Sequence, residues 1–521
     1  MTDDDAPGTG RRAGPENVHS LDPLHLATAL DALERDAAPL EPDAEARASL
    51  LRAVGSYAEQ FLETLPDRKA YNAASTGEGL AEARVAEHGH PIGELLAIFG
   101  REVVDPGSSV ASGTHLAYIP GGGIYHSALG DYLAAVTNKY SGIFFTGPGP
   151  VRMEHQMVRW AADLVGYPAS AGGYIASGGS LANLSAITTA RDAHGVKGAN
   201  VGRAAVYLSE QAHHSVDKAL RIAGLEDVHL RRLPVDDRFR MDRASLEGAI
   251  ARDRAEGLHP WLIVASAGTT DTGAIDPLDA MADIAQREGC WLHVDAAYGG
   301  FFLLTAAGRK AMKGIERSDS VILDPHKGLF LPWGSGILVV RDVNALVRSN
   351  RYAGHYMQDA VRNTEELAPA EVSPELSRPF RALRMWLPLM ALGVAPFRAA
   401  LEEKLLLTRY FHREVQRLGF ITGPEPELSI STFRWAPEWM SDAEADRFNE
   451  RLVEAIRQDG RVFMSSTRID GRFTIRMAAL NNRTHRRDVE LALRVLTDLV
   501  STLSRQDATR QAGRPPELRR P

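Results

Sequence analysis

The sequence predicts an α/β protein: a mostly parallel sheet with helices on both faces, preceded by a helical segment and followed by a small α+β domain. Three observations support this prediction. Short β-rich runs alternate with amphipathic helical stretches between residues 170 and 341, which is typical of a parallel sheet covered by helices. Before this region apolar residues recur at helical spacing, and after about Pro374 helix and strand alternate on a smaller scale.

The chain divides into five predicted segments. Residues 1–20 and 506–521 are rich in proline, glycine and charge, and we expect them to be disordered. Residues 21–105 form the helical segment, residues 106–375 the large domain and residues 376–505 the small domain. The large domain has predicted strands at 205–208, 228–233, 261–265, 291–294, 320–323 and 336–341, and predicted helices at 180–191, 215–222, 243–255 and 278–288.

Composition excludes several classes of function. The net charge of -8 over 521 residues, without a block of like charge, argues against nucleic acid as a partner. The longest apolar runs, such as residues 261–267, are too short to span a bilayer, so we expect no membrane partner. Cys290 is the only cysteine, which excludes an intrachain disulfide and a cysteine metal cluster. Without an apolar signal core at the N-terminus, the protein is expected to be cytoplasmic and to hold no metal.

Two charged side chains follow predicted buried strands. Asp295 ends the apolar run 291–294, and Lys327 comes shortly after residues 320–323. A buried lysine is costly if charged and unpaired, so it either extends to solvent or is neutralised by a covalent bond. Lys327 alone among the eight lysines lies at such a strand end, whereas Asp295 is equally compatible with a helix cap or an ion pair. Ligands bind at this edge of parallel sheets.

Two further features fall at the same predicted edge. Gly178, Gly179 and Ser180 open a helix, and the free backbone N–H groups of a glycine-rich helix start favour a phosphate. His213 follows the predicted strand 205–208. Taken alone, the glycines also fit a plain turn, and the histidine also fits a structural role.

The four features together call for a single ligand. It needs a phosphate, a cationic ring nitrogen and a carbonyl that condenses with lysine, and pyridoxal 5′-phosphate has all three. Lys327 would bind it covalently, Asp295 would keep the ring nitrogen protonated, and His213 would stack on the ring. The sequence therefore predicts a pyridoxal-phosphate enzyme.

The order of the motifs resembles the group II pyridoxal-phosphate decarboxylases, which include the aromatic-amino-acid and glutamate decarboxylases. The motifs are Gly178-Gly179-Ser180, Gln211-Ala212-His213, Gly268-Thr269-Thr270, HVDAAY at 293–298, Asp324-Pro325-His326-Lys327 and RPFRALRMW at 378–386. The resemblance covers about residues 25–500. It implies the aspartate-aminotransferase-like fold of type I with a seven-stranded sheet.

Several site residues are carried over from this resemblance. It implies that Gly179 and Ser180 bind the phosphate, that Thr270 and Ala297 contact the ring, and that His326 neighbours the reactive lysine. Asp324 stands where the aromatic decarboxylases have asparagine. Because a carboxylate near a dianionic phosphate is repelled, we expect Asp324 to turn toward a backbone N–H instead.

The resemblance also implies a homodimer with active sites shared between the subunits. A loop, here about residues 350–369, closes over the substrate. Tyr356 lies at about the position of the tyrosine that protonates the substrate carbon after decarboxylation in the aromatic enzymes. A surface tyrosine on a mobile loop is the simpler interpretation of the same residue.

The predicted reaction is decarboxylation of an L-amino acid to its amine and CO2, with Lys327, Tyr356 and His213 as catalytic residues. A decarboxylative amine oxidase or aldehyde synthase is a competing prediction; that activity occurs in relatives that have lost the tyrosine or histidine, and both residues are present here. The same motifs are also compatible with a decarboxylase of an acidic or non-proteinogenic amino acid, and with an inactive binding protein on the same fold.

The side-chain pocket of the substrate is expected to include His115, Tyr118, Ile119 and Phe144, the last contributed by the partner chain. Between residues 112 and 150 the only fixed cation is Lys139, whereas an acidic substrate normally requires an arginine or lysine. The sequence therefore favours a neutral hydrophobic substrate, aromatic first and branched aliphatic second. The same apolar residues are also compatible with a role in the core.

Overall fold

The structure is a computed structural model that describes residues 22–73, 77–81, 84–119, 121–351 and 366–512. Residues 510–512 are described by their backbone alone. In these ranges no helix is long and apolar enough to cross a membrane. The α/β class and the mostly parallel seven-stranded sheet are confirmed.

The N-terminal part is mainly helical, as predicted, and its elements are α1 (Pro23–Ala37), α2 (Ala44–Thr64), α3 (Ile92–Phe99), β1 (Tyr71–Asn72), β2 (Gly107–Ser108) and β3 (His115–Leu116). Neither α1 nor α2 buries a residue within the chain. Leu30 and Leu33 on α1 are 58% and 62% exposed. An isolated helix of this length is marginal in water, and the described residues leave these apolar faces uncovered.

The large sheet consists of β4 (Gly172–Ala176), β5 (Ala204–Ser209), β6 (His229–Leu233), β7 (His259–Ser266), β8 (Trp291–Asp295), β9 (Ser320–Leu323) and β10 (Gly336–Val340). Their order in space is β4-β10-β9-β8-β7-β5-β6. Only β10 is antiparallel to its neighbours, β4 and β9. Both faces are covered, because alternate residues of each inner strand enter one of two apolar clusters.

One strand of this sheet is absent from the predicted set. β4 begins with Gly172 and Gly173, a pair more typical of a turn. The structure shows why glycine is needed there, since a Cβ on Gly173 would lie 1.8 Å from the carbonyl oxygen of Leu338 on β10. The glycines therefore permit close strand packing and do not mark a loop.

Ten helices accompany the sheet in the described chain: α4 (Tyr125–Thr137), α5 (Pro148–Val165), α6 (Gly179–Ala193), α7 (Ser215–Ile222), α8 (Arg243–Ala255), α9 (Leu278–Glu288), α10 (Ala306–Ala311), α11 (Pro325–Gly328), α12 (Val343–Asn350) and α13 (Pro369–Val372). Helices α5, α8 and α9 pack on one face, and α6, α7 and α12 pack on the other. This is the two-sided cover that the strand–helix alternation predicts.

The C-terminal part is built from α14 (Ala382–Leu392), α15 (Ala395–Arg417), α16 (Asp442–Asp459), α17 (Arg486–Ala512), β11 (Ile421–Thr422), β12 (Ile430–Arg434), β13 (Phe463–Ile469) and β14 (Arg472–Ala478). The strands form a second sheet in the order β11-β12-β14-β13-β3. Its last member, β3, lies in the range predicted for the large domain but pairs with Phe463 and Met464. This pairing joins the His115 segment to the small sheet.

Candidate active site

A cavity of about 300 Å³ opens at the carboxyl ends of β5, β7, β8 and β9. This is the edge at which ligands bind in parallel sheets. Every residue predicted to hold the cofactor lines this cavity: Gly179, Ser180, His213, Thr270, Asp295, Ala297, His326 and Lys327. The structure thus brings these residues together, and their chemical roles stay predictions.

Lys327 lies in the one-turn helix α11, directly after β9. Its backbone N–H donates to the carbonyl of Asp324 (2.9 Å), and its Nζ lies 2.9 Å from Asp324 Oδ2. Burial lowers the pKa of Lys327, but the carboxylates of Asp324 and Asp295 outweigh burial and hold the pKa above its ordinary value. The lysine is therefore a paired ammonium that faces the cavity.

His326 precedes the lysine on the same turn. Its Nδ1 donates to the carbonyl of Ser335, and its Nε2 lies 3.6 Å from Asp324 Oδ2. Burial lowers the pKa of His326, and the nearby Asp324 carboxylate only partly offsets this effect. The imidazole is thus neutral, with its one N–H directed away from Asp324. The chain also passes close to this turn, since a Cβ on Gly121 would lie 1.9 Å from the His326 carbonyl oxygen.

The expectation that Asp324 turns toward a backbone N–H is wrong. The side chain pairs with Lys327 through Oδ2 and does not cap α11. Oδ1 is buried and has no hydrogen-bond partner among the described residues. The attraction of a neighbouring ammonium outweighs that of a backbone donor, because a charge-assisted contact is the stronger one in a buried site.

Asp295 is oriented by a chain of hydrogen bonds behind it. Its Oδ1 accepts from the Ala297 N–H (3.1 Å), and its Oδ2 accepts from Asn183 Nδ2 (3.0 Å). Asn183 Oδ1 accepts from His293 Nε2 (2.8 Å), and His293 Nδ1 accepts from the Ser320 hydroxyl (2.8 Å). Burial lowers the pKa of His293 to about 4, so this imidazole is neutral. The carboxylate is thereby held in one orientation at the cavity wall.

The start of α6 provides backbone donors. No side chain caps its first N–H groups, which leaves them free for an anion. Close packing explains Gly179, since a Cβ there would lie 2.9 Å from Asp324 Oδ2 and 3.4 Å from the Ala297 Cβ. The arrangement is a small, donor-rich corner of the cavity, of the kind that binds phosphate.

A buried ion pair supports the strand that leads into this corner. Arg378 lies 2.8 Å from Glu154, and each binds the backbone of Ile175 on β4. Arg381 pairs with Glu375 beside them (2.7 Å). The arginine-rich motif singled out in the sequence therefore has a structural role here, since it fixes the end of β4.

His213 lies on the loop before α7. Its Nδ1 accepts from the backbone N–H of Ser215 (3.2 Å) and lies 2.7 Å from the Ser215 hydroxyl. Burial lowers the pKa of His213, and the Asp295 carboxylate only partly opposes this. The neutral ring therefore carries its proton on Nε2. His214 packs against it, with ring centroids 4.1 Å apart.

The small domain contacts the cavity wall through Arg476 and through Ser429, which binds Tyr298. Arg476 Nε donates to the Asp271 carbonyl (2.8 Å), Nη1 donates to Ser465 Oγ (2.8 Å), and Nη2 donates to the Thr270 carbonyl. The Tyr298 hydroxyl, from the cavity wall, accepts from the backbone N–H of Ser429 (2.8 Å). These contacts tie the cavity wall to the second sheet.

The predicted substrate residues do not line the cavity of the single chain. Tyr118 is 61% exposed, and its backbone N–H meets Ser465 Oγ at 3.5 Å. Its φ of +55° is rare for a residue other than glycine and is typical of functional sites. His115 packs against Phe463, with ring centroids 5.3 Å apart, and Ile119 is buried.

Phe144 and Tyr356 are the two remaining predicted site residues. The Phe144 ring lies under the guanidinium of Arg152, 5.1 Å from the ring centroid, and does not line the cavity within the single chain. Tyr356 lies outside the described residues, as does most of the loop predicted at 350–369. The roles of both residues stay predictions.

Sequence reasoning missed Asn183, Ser266 and Tyr298, which also line the cavity. Asn183 left a weak signal, since it is a polar residue on the apolar face of a predicted helix. Ser266 and Tyr298 left none, because Ser266 precedes one motif and Tyr298 ends another, and both motifs are explained without these side chains. No group of histidine, cysteine, aspartate or glutamate in the described ranges is arranged to hold a metal ion.

Residues 82–434 match the family described as the pyridoxal-dependent decarboxylase conserved domain. The aromatic-L-amino-acid decarboxylase of Bacillus atrophaeus is 34% identical over 403 residues, which are 77% of this chain and 84% of that protein. Phenylacetaldehyde synthase of Petunia hybrida is 28% identical over 412 residues, 74% of this chain and 80% of that protein. A crystal structure of Oryza sativa TDC with PLP and tryptamine superposes with a TM-score of 0.84 at 25% identity, covering 89% of this chain and 99% of that one.

The chain belongs to the pyridoxal-dependent decarboxylase family, and pyridoxal phosphate is its cofactor. The residues present fit this group. The uncapped start of α6 suits the phosphate, the oriented carboxylate of Asp295 suits a protonated ring nitrogen, and the amine of Lys327 faces the same cavity. The one group that does not match an ionised phosphate is Asp324.

Proposed function

We propose that this pyridoxal-dependent decarboxylase acts on a neutral hydrophobic L-amino acid, aromatic first, and releases CO2 and the amine. One observation carries the proposal. Lys327, Asp295, His213 and the start of α6 line a single cavity, and no arginine stands in its described wall. The fixed groups therefore serve the cofactor, and none remains to pair with an acidic substrate side chain.

When bound, pyridoxal phosphate supplies an electron sink for the pair released as the bond to the carboxylate breaks. Lys327 is the nucleophile that would hold the cofactor and later release the amine. Asp295 keeps a proton on the ring nitrogen, because Asn183 and the Ala297 N–H fix its carboxylate toward the cavity. His213, neutral and anchored by Ser215, would pack on the ring.

The proton that replaces the lost carboxylate must come from a side chain or from water. Tyr356 is our candidate for this donor, and the segment around it would exclude water from the cavity. A tyrosine suits the task because its hydroxyl can donate a proton to the substrate carbon. The amine product requires this proton donation.

The aromatic surface next to the cavity supports the substrate class. Tyr118, His115, Tyr71 and Phe463 form a continuous ring cluster, with Tyr71 stacked on Phe463 at 4.9 Å between centroids. Arg476, which shares Ser465 Oγ with the backbone N–H of Tyr118, donates from each of its three nitrogens. An apolar substrate side chain gains from contact with this surface.

We also propose that two copies associate and complete each other's sites. The apolar faces of α1 and α2 are exposed in the single chain, and Phe144 does not reach its own cavity. A second copy would cover the apolar faces of α1 and α2, and its cavity would receive Phe144. Sedimentation of the full chain should give a dimer; a monomer with full activity would contradict shared sites.

A single buried cysteine suits the reducing cytoplasm that we propose as the compartment of this protein.

The test is a product assay on the cofactor-loaded protein with separate L-amino acids, among them tyrosine, tryptophan, leucine, glutamate and 2,4-diaminobutyrate. CO2, amine, aldehyde and peroxide are followed together. Equal amounts of CO2 and amine from an aromatic substrate confirm the proposal. Aldehyde with peroxide would instead indicate the chemistry named for the Petunia relative, and turnover of glutamate alone would overturn the substrate class.

A further inference from the structure

A carboxylate occupies the corner of the cavity that suits a phosphate. A Cβ on Gly179 would lie 2.9 Å from Asp324 Oδ2 and 3.2 Å from Oδ1, and a Cβ on Gly336 would lie 2.8 Å from Oδ1. Asp324 is 1% exposed, and its Oδ1 has no hydrogen-bond partner among the described residues. An unpaired acceptor therefore lies directly against the donor-rich start of α6.

The charges around Asp324 are few. Lys327 Nζ lies 2.9 Å away and is the only fixed cation of the described chain within 4 Å. The neutral His326 offers only a lone pair at Nε2, because its N–H is committed to Ser335. Asp295 faces the Asp324 carboxylate from across the cavity, and His213 faces it from the loop before α7. In the absence of cofactor, the ammonium of Lys327 compensates the carboxylate.

Cofactor binding alters this balance. Condensation of the Lys327 ammonium with the aldehyde forms a C=N bond, releases water and leaves the positive charge on nitrogen, so it does not change the proton count. The phosphate, however, adds up to two negative charges beside Asp324. Ionised phosphate and carboxylate oxygens only accept hydrogen bonds, so two of them buried side by side repel unless a proton lies between them. An asparagine at this position would supply its own N–H donor.

We propose that Asp324 binds the cofactor phosphate as a neutral carboxylic acid, with Oδ1–H donating to a phosphate oxygen, so that cofactor binding takes up one proton. The proton comes from solvent, an O–H bond forms at Oδ1, and no bond of the phosphate breaks. The inference rests on the cofactor site described above and concerns binding only. It does not depend on which amino acid is decarboxylated.

The experiment compares the affinity of the cofactor-free full chain for pyridoxal phosphate with that of Asp324→Asn, by spectroscopic titration from about pH 6.5 to about pH 8.5. All other titrating groups are present in both proteins, so the ratio of the two dissociation constants reports Asp324 together with the influence of Asp324 on the pKa of Lys327. The wild-type value should rise relative to the variant by about tenfold per pH unit, because one more proton enters its complex. Asp319→Asn, which alters a half-buried carboxylate at the opposite end of β9, is the matched control and should keep the wild-type slope.

Calorimetry in two buffers of different ionisation enthalpy provides a second readout. The wild-type protein should take up about one proton more per site than Asp324→Asn. If the asparagine variant folds poorly, Asp324→Ser replaces it. The serine hydroxyl is a donor that does not titrate, so this variant should give the result expected of the asparagine variant. A ratio that does not change with pH, equal proton counts, or a folded asparagine variant that binds no cofactor would each overturn the proposal. Absence of decarboxylation with normal binding would contradict only the proposed function.

Discussion

Lys327 and Lys404 are both enclosed by the fold, but their surroundings differ. Lys404 on α15 is fully buried, and its Nζ donates to the Thr484 carbonyl (2.5 Å) and lies 2.7 Å from Glu403. Lys327 keeps 24% of its side chain exposed, faces a cavity of about 300 Å³ and has Asp324 as its partner. One lysine joins two parts of the small domain, whereas the other has room for a ligand beside its nitrogen.

The electrostatic settings are opposite as well. Burial lowers the pKa of Lys404, and Glu403 restores it only in part. For Lys327 the two nearby carboxylates outweigh burial, and the pKa is raised. A buried lysine therefore indicates a reactive site only when open space and acidic partners accompany it. Burial by itself is equally compatible with a structural role.

Substitution of Lys327 should have the largest effect. Lys327→Ala removes the nucleophile and a proton carrier, so the decarboxylation rate should fall at least about 1000-fold. The absorbance band of the covalently bound cofactor should vanish. Absorbance spectroscopy and single-turnover kinetics check both. A retained band would show that another amine holds the cofactor. Lys404→Met, at a residue outside the wall of this cavity, should keep the band intact.

Asp295→Asn removes the second carboxylate near Lys327. The ring nitrogen should then lose its proton at neutral pH, and kcat should fall by about 100- to 1000-fold, the range for loss of one preorganised electrostatic group. Steady-state kinetics with cofactor in excess measure this effect. If kcat changed by less than about threefold, the proposed role of Asp295 would be wrong.

Lys404→Met should affect stability and not chemistry. It leaves the Thr484 carbonyl without its donor, which costs about 1–3 kcal/mol of unfolding free energy for a buried polar group. Urea unfolding of the cofactor-free protein measures the loss, and kcat should stay within about twofold of the wild-type value. A large fall in kcat at unchanged stability would break the contrast between the two lysines.

The smallest effect is a difference in pH dependence at alkaline pH. Because the pKa of Lys404 is lowered from 10.5, the folded state binds fewer protons there, and its contribution to the unfolding free energy rises with pH up to about 10.5. Because the pKa of Lys327 is raised, its contribution is complete below about 10.5 and is lost at higher pH. Urea unfolding of wild type against Lys404→Met and Lys327→Met should show opposite slopes; parallel slopes would contradict the contrast.

Local patterns account for most of the fold that sequence reasoning predicted. The helices at 215–222, 243–255 and 278–288 begin and end where the periodicity placed them. β4 was missed because its glycines are required by close contact with β10, about 165 residues away in the chain. The N-terminal helices were predicted without their exposed apolar faces, which only the three-dimensional arrangement displays.

The sequence by itself determined the strand–helix order and the residue types at the strand ends, because periodicity and motif spacing are local properties of the chain. It thereby predicted that Lys327, Asp295, His213 and the glycine-rich helix start lie at one edge of the sheet. Only the tertiary structure decided the partners of these groups: Asn183 behind Asp295, and the unpaired oxygen of Asp324 beside the phosphate corner. Such contacts join distant segments. They depend on differences of a few tenths of an ångström in packing distance, which no local pattern encodes.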